Sequence, residues 1–282
     1  MIIKYHVALD WNDSQIEKMN EFGVYPVKGY TAVQIDEETY LKVKDYIYEW
    51  TGSGGIRYPE FSKAEQKESP LSLKSGGHEH GYPMPDMDFG YKQLTYDLSD
   101  YCPNCGVGLK QKDAFRVKSV PPEGKKQIFS LGWIYDELFV ERKIYNEVFE
   151  PLGINCREVL KYKKENPFEE TVQLVLEQTQ EKLNLVDYPT ETCHVCGKTK
   201  YQPMPQGFYP LYKNIIAPIF KSCDYFGSGA SATNKIFITK ELREKLIELK
   251  IEKSAWYIPT KALDETTNLK SLVTGDKKTE NK

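Results

Sequence analysis

The sequence predicts an α+β fold of mixed strands and short helices arranged around two CxxCG knuckles. Three observations carry this expectation. Short apolar runs with strand-like alternation are interspersed with stretches of helical spacing. Two segments near residues 140 and 240 repeat a strand–helix–strand pattern. Two short words, Cys102-Pro103-Asn104-Cys105-Gly106 and Cys193-His194-Val195-Cys196-Gly197, share one spacing. The composition fits a folded chain. Of 282 residues 40% are hydrophobic, a little below the globular norm, and 13% aromatics compensate because each buries a large area. A net charge of −3 is too small for charge-driven disorder and supplies no overall basic field for nucleic acid.

The elements follow in order. Ile2–Leu9 alternates in part and reads as a strand. Asp13 or Ser14 is expected to cap a short helix carrying Ile16, Met19 and Phe22, which Gly23 stops. Ala32–Ile35 is a second strand. Asp36 then stands at the N-cap of a helix whose apolar residues are Tyr40, Leu41, Val43, Ile47 and Trp50, ended by the Gly/Ser run after Thr51. Residues 1–55 therefore read as an N-terminal α/β segment. Residues 56–94 are rich in Pro, Gly, Ser and Lys with little periodicity, and read as a loop or linker. Residues 95–262 read as the α+β domain that holds both knuckles. Residues 263–282 are polar with few aromatics and read as a disordered tail.

Inside 95–262, Thr171–Leu176 alternates as a strand leading towards the second knuckle. Segments 136–160 and 235–258 align side by side. Leu138-Phe139-Val140-Glu141 matches Ile236-Phe237-Ile238-Thr239. Ile144, Val148 and Phe149 match Leu242, Leu246 and Ile247, and Leu152 and Ile154 match Leu249 and Ile251. Residues 33–50 echo the first half of this pattern. Either an internal duplication or a recurrent strand–helix unit accounts for it; two loose copies are too few for a solenoid.

The six cysteines divide by spacing. The N-terminus has no basic n-region followed by an apolar core, and no apolar run approaches membrane-spanning length. A reducing, cytoplasmic setting follows, in which paired cysteines are metal ligands rather than disulfides. A two-residue spacer turns both sulfurs of a knuckle to one side, so Cys102, Cys105, Cys193 and Cys196 supply the four ligands of a closed tetrahedral Zn²⁺ site. The trailing glycine accepts positive φ, which lets backbone N–H groups face thiolate sulfur. A closed four-thiolate site leaves no position for water, so the zinc is expected to be structural rather than catalytic, and because four histidines form no recognisable triad the chain is expected not to be an enzyme. The gap of 87 residues between Cys105 and Cys193 exceeds the usual ribbon spacing and implies a folded insertion, with two separate sites completed by His or Asp, or metal-free thiols, as the other readings. Cys156 and Cys223 read as inert buried thiols. His78, Glu79 and His80 with Asp86 and Asp88 form a second polar cluster, read as a surface loop, and Gly227–Ser231 reads as a turn or partner-contact loop.

The arrangement resembles the double-CXXCG motif proteins of bacteria. The likeness lies in Tyr96-Asp97-Leu98-Ser99-Asp100-Tyr101 before the first knuckle, in the strand and amphipathic helix of Lys235–Leu249, and in the final strand Ala255–Ile258. It covers roughly residues 95–260. Some members of that family are regarded as immunity proteins, so the resemblance implies a cognate protein toxin as partner. Twenty tyrosines and four tryptophans supply candidate interface anchors, with 74–90 (Tyr82, Met84, Met87, Phe89) and 201–225 as candidate contact regions. Two other function classes stand beside it. One is a zinc-ribbon regulator of nucleic acid, using Lys110, Lys112, Arg116, Lys118, Lys198 and Lys200, a class the near-neutral charge disfavours. The other is an enzyme with a structural zinc, using His6, His78 or His80.

Overall fold

The computed structural model describes residues 1–186, 188–251, 255–262 and Leu272, and over these the chain is α+β. Strand β1 (Ile2–Trp11), helix α1 (Asp13–Asn20), strand β2 (Gly29–Asp36), helix α2 (Glu37–Thr51) and strand β3 (Ile56–Glu60) open the chain. The three strands pair antiparallel in the order β2-β1-β3. The helices cover one face, burying Trp11, Met19, Ile35, Val43 and Ile47. Asp36 caps α2 as expected, its Oδ1 accepting from the Thr39 amide at 2.9 Å. The cap of α1 is Asn12 rather than Asp13 or Ser14. Its backbone is extended and its side chain reaches the Gln15 amide, while Gln15 answers to the Asn12 amide.

Residues 56–94 are not a linker. After β3 they form helix α3 (Lys63–Glu68), strand β4 (Leu71–Gly76) and strand β5 (His78–Glu79), and run into helix α4 (Tyr91–Thr95). Leu71 and Leu73 are fully buried. Ser72 is buried too, and its hydroxyl accepts from the buried Arg243 guanidinium. The partners of β4 lie far along the chain, so no local periodicity marks it.

The remainder runs through β6 (Tyr96–Asp97), β7 (Lys110–Gln111), β8 (Arg116–Val117), β9 (Ile128–Leu131) and β10 (Ile134–Glu141). Helix α5 (Arg142–Ile144) continues through a π turn and a 3-10 turn to Leu152. Strands β11 (Asn155–Lys161), β12 (Pro167–Val175), β13 (Thr190–Thr192), β14 (Thr199–Tyr201), β15 (Tyr209–Pro210), β16 (Ile219–Phe226) and β17 (Thr233–Thr239) follow, then helix α6 (Lys240–Glu248) and strand β18 (Ala255–Lys261).

Two large sheets result, in the orders β5-β9-β10-β12-β11-β8 and β13-β14-β16-β17-β4-β18-β15. Their centres are equivalent. β9-β10-β12-β11-β8 and β16-β17-β4-β18-β15 have the same pairing senses: antiparallel across the first four strands and parallel at the last pair. The aligned segments occupy equivalent places in these sheets, so the two copies are halves of one repeated architecture. Leu138, Val140, Ile144, Val148 and Ile154 share a single core with Ile236, Ile238, Leu242, Leu246 and Ile251. Phe139 and Phe237 instead turn to the separate outer cores of their own halves.

One strand in each half breaks the sequence order. β12 follows β11 and fills the centre of the first sheet, whereas the equivalent place in the second sheet is filled by β4, from ahead of the first half. Tail residues 263–271 and 273–282 lie outside the described residues. Leu272 is buried, and its carbonyl accepts from the Phe208 amide at 2.7 Å. No helix among the described residues is long and apolar enough to cross a membrane.

Candidate metal centre

Each knuckle sits at the turn of a two-stranded hairpin. β6 and β7 pair antiparallel across Cys102–Gly106, and β13 and β14 do so across Cys193–Gly197. The turns are built alike. The Gly106 amide donates to the Cys102 carbonyl at 2.8 Å, and the Gly197 amide to the Cys193 carbonyl at 2.8 Å. The Cys102 amide donates to Val107 at 2.9 Å, and the Cys193 amide to Lys198 at 3.0 Å. Both trailing glycines are left-handed, with φ of 82° at Gly106 and 70° at Gly197, as the knuckle spacing predicts. Gly106 has a second constraint, because a Cβ there would lie 2.5 Å from the Ala230 carbonyl oxygen.

The two hairpins face each other and bring the four thiols together. All four Sγ atoms lie within 4.8 Å of one another. Cys102 and Cys193 are 3.9 Å apart, and Cys105 and Cys196 are 3.6 Å apart. A tetrahedron with metal–sulfur bonds of ~2.3 Å has sulfur–sulfur edges of about 3.8 Å, so the donor set matches a tetrahedral thiolate site. Among the described residues this is the one group of three or more His, Cys, Asp and Glu whose ligand atoms converge so closely. The 78–88 cluster does not converge in this way.

Amide donors surround the sulfurs. The Cys105 and Asn104 amides hold the Cys102 thiol below its ordinary pKa. The Cys196 amide does the same for Cys193, bringing it to about 6, and Asn104 Nδ2 adds a contact at 3.3 Å. Burial pushes Cys105 up to about 12, the direction expected of a thiol whose charge a cation must compensate. Three of the four cysteines are buried, and Cys196 is the most open.

Lys200 was not legible as a structural residue. It lies 1% exposed on β14, and its ammonium donates to the carbonyls of Cys105 (3.1 Å), Gly229 and Ser231 (3.2 Å). It thus ties the second hairpin to the first knuckle and to the loop at 227–231, which packs on Gly106 rather than standing free. Other residues of the expected basic patch are also engaged. Lys110 pairs with Asp100, Arg116 with Glu165 and Asp113, and Lys118 with Asp86, while Lys198 donates to the Asp100 carbonyl at 3.3 Å.

The singleton thiols, expected to be buried, are each only half-buried. Cys156 packs against the shared core, and Cys223 donates to the Glu181 carbonyl at 3.3 Å, its pKa raised by burial. His6 lies on β1, whereas His78 and His80 lie at the edge of the first large sheet, so the histidines do not share one site. Of the candidate contact residues, Met84 is buried, while Tyr82, Met87 and Phe89 are exposed. In 201–225, Phe208, Tyr209 and Tyr212 are core, and Met204, Ile215 and Ile216 are exposed. Comparison with protein-family models and with curated proteins finds no match.

Proposed function

We propose that the chain is a zinc-stapled binding protein, with the zinc in a ribbon-like pair of knuckles and a cognate bacterial toxin as its partner. The observation that supports it most is the closed set of four converging thiols, one pair from each half. Such a centre leaves no open coordination position for substrate or water, so its contribution is to join the halves. Zn²⁺ is the ion that best suits four thiolates at tetrahedral spacing. Cys102, Cys105, Cys193 and Cys196 would hold it, with the Asn104 side chain and the knuckle amides orienting the sulfurs.

A rigid scaffold suits recognition. Tyr25, Val27 and Tyr30 stand 74%, 68% and 80% exposed on the N-terminal unit, a cluster of the residue types that anchor protein interfaces. The immunity role rests on the family resemblance, and the test is direct. The neighbouring genes are sequenced, and the product of any secreted-toxin gene among them is expressed in a sensitive cell with and without this chain. Survival restored by the intact chain supports the reading. Equal killing with and without the soluble, zinc-loaded chain overturns it. The engaged basic residues beside the knuckles give the nucleic-acid reading less support.

A further inference from the structure

The two halves share one frame, but one face of it carries different chemistry in each, and a cleft lies over that face in the first half. In the second half, Phe237 on β17 faces Leu73 on β4, which faces Ile258 on β18. Leu73 and Ile258 are 1% and 0% exposed, and the face is packed solid. In the first half, Phe139 on β10 faces Gln173 on β12, which faces Arg157 on β11. The positions that carry Leu and Ile in one copy carry Gln and Arg in the other. Over this face opens a cleft of about 920 Å³, within the range of small-molecule sites.

The floor is charged and organised. Glu137 is buried, and its carboxylate pairs with Lys221, which reaches across from β16 of the other half. Gln173 Nε2 donates to the second Glu137 oxygen at 3.0 Å, and Gln111 and Gln173 exchange side-chain hydrogen bonds, each Nε2 donating to the other's Oε1, at 2.8 and 2.7 Å. A buried ion pair costs desolvation and is weak support for a fold, so its place at the base of a cleft points to a use. Arg157 lines the same cleft, and among the described residues nothing hydrogen-bonds or ion-pairs with its guanidinium. Lys92, on the other wall, donates to the Tyr101 hydroxyl at 2.9 Å and lies over the Phe89 and Tyr101 rings. Asp136 also lines the cleft, one oxygen accepting from the Asn234 amide at 3.1 Å.

The rim is aromatic and strained. Trp133 and Phe89 have φ of 71° and 53°, a conformation that bulky side chains rarely adopt. Both are partly exposed, and their rings meet edge to face at 4.8 Å. Tyr91 lies near-parallel to Trp133 at 6.1 Å. Strain held at a ring-lined opening is the arrangement seen where side chains clamp a ligand.

We propose that this cleft binds a small anion bearing a flat ring, of the nucleotide class. The ring stacks at Trp133, the anionic group meets Arg157, and Asp136 and the amides accept and donate to the polar edge. The site is independent of the toxin-binding reading. Isothermal titration of the full zinc-loaded chain with AMP and with GMP tests it. One equivalent is expected to bind with a Kd on the order of 100 μM, while adenosine alone and inorganic phosphate alone bind at least ~10-fold more weakly. Arg157→Gln weakens AMP by ~10-fold or more, with little change in melting temperature because among the described residues the guanidinium has no hydrogen bond or ion pair to lose. No saturable heat with either nucleotide up to about 5 mM overturns the proposal, as does undiminished binding to the folded Arg157→Gln chain.

Discussion

At the scale of single residues, two side chains show how position decides what a charge contributes. The Thr39 amide holds the Asp36 carboxyl below its usual pKa. The folded form therefore favours the carboxylate, and its contribution is full above the unfolded value of about 4 and is lost as pH falls through the lower folded value. Asp36→Ala is expected to cost about 1 kcal/mol at neutral pH, with the difference shrinking as urea titrations are repeated towards pH ~3. Glu137 shows the opposite shift. Burial raises its pKa, and the Glu137 charge holds Lys221 above its ordinary value against the burial that would lower it. Glu137→Gln leaves a buried ammonium without its counter-charge and is expected to destabilise by ~3 kcal/mol. Adding Lys221→Met should restore most of that loss in the same urea titration. A double variant whose cost equals the sum of the separate Glu137→Gln and Lys221→Met costs would show that the pair is not coupled.

At the scale of elements, local signals were legible and distant ones were not. The Asp36 cap, the α2 face and the two knuckles carry their instructions within a few residues, and each forms where the sequence places it. The 138–154 and 236–251 copies were also visible, because matched apolar positions line one core. Strand β4 was hidden. Leu71-Ser72-Leu73 has too few alternating residues to stand out, and it gains its partners only from β17 and β18. The cleft was hidden for a related reason. Gln173 reads as the solvent side of an alternating strand, yet both faces of β12 are buried between 171 and 174. Leu73→Ala is expected to cost ~2–5 kcal/mol. Hydrogen exchange should then accelerate in 233–239 and 255–261 more than in 128–141. Acceleration confined to the first half would contradict the strand order.

At the scale of the whole molecule, the thiol cluster and the shared core are separate ties between the halves. Elemental analysis of purified chain is expected to find about one zinc per molecule, and two would replace the shared site with two independent ones. Cys102→Ser and Cys193→Ser should each lose that zinc and lower the melting temperature together, because either change opens the same centre. A chelator should reproduce the shift in the unaltered chain. Lys200→Met is expected to loosen the same region by a different route, leaving three carbonyls without their donor, and to speed zinc release to a chromogenic chelator.

The place of β4 has a consequence for how the chain is made. Strand β12 leaves the ribosome after β10 and β11, and can pair with both at once. Strand β4 emerges ahead of the whole first half, but its two neighbours begin only at Thr233 and Ala255. At ~5–20 residues per second, translating residues 77–232 takes roughly 8–30 s. For that interval Leu71 and Leu73 have no sheet to enter, beside a first half already able to close. Any nascent chain halted before residue 233 carries an unsatisfied strand at its base, a natural mark for chaperones and for quality control.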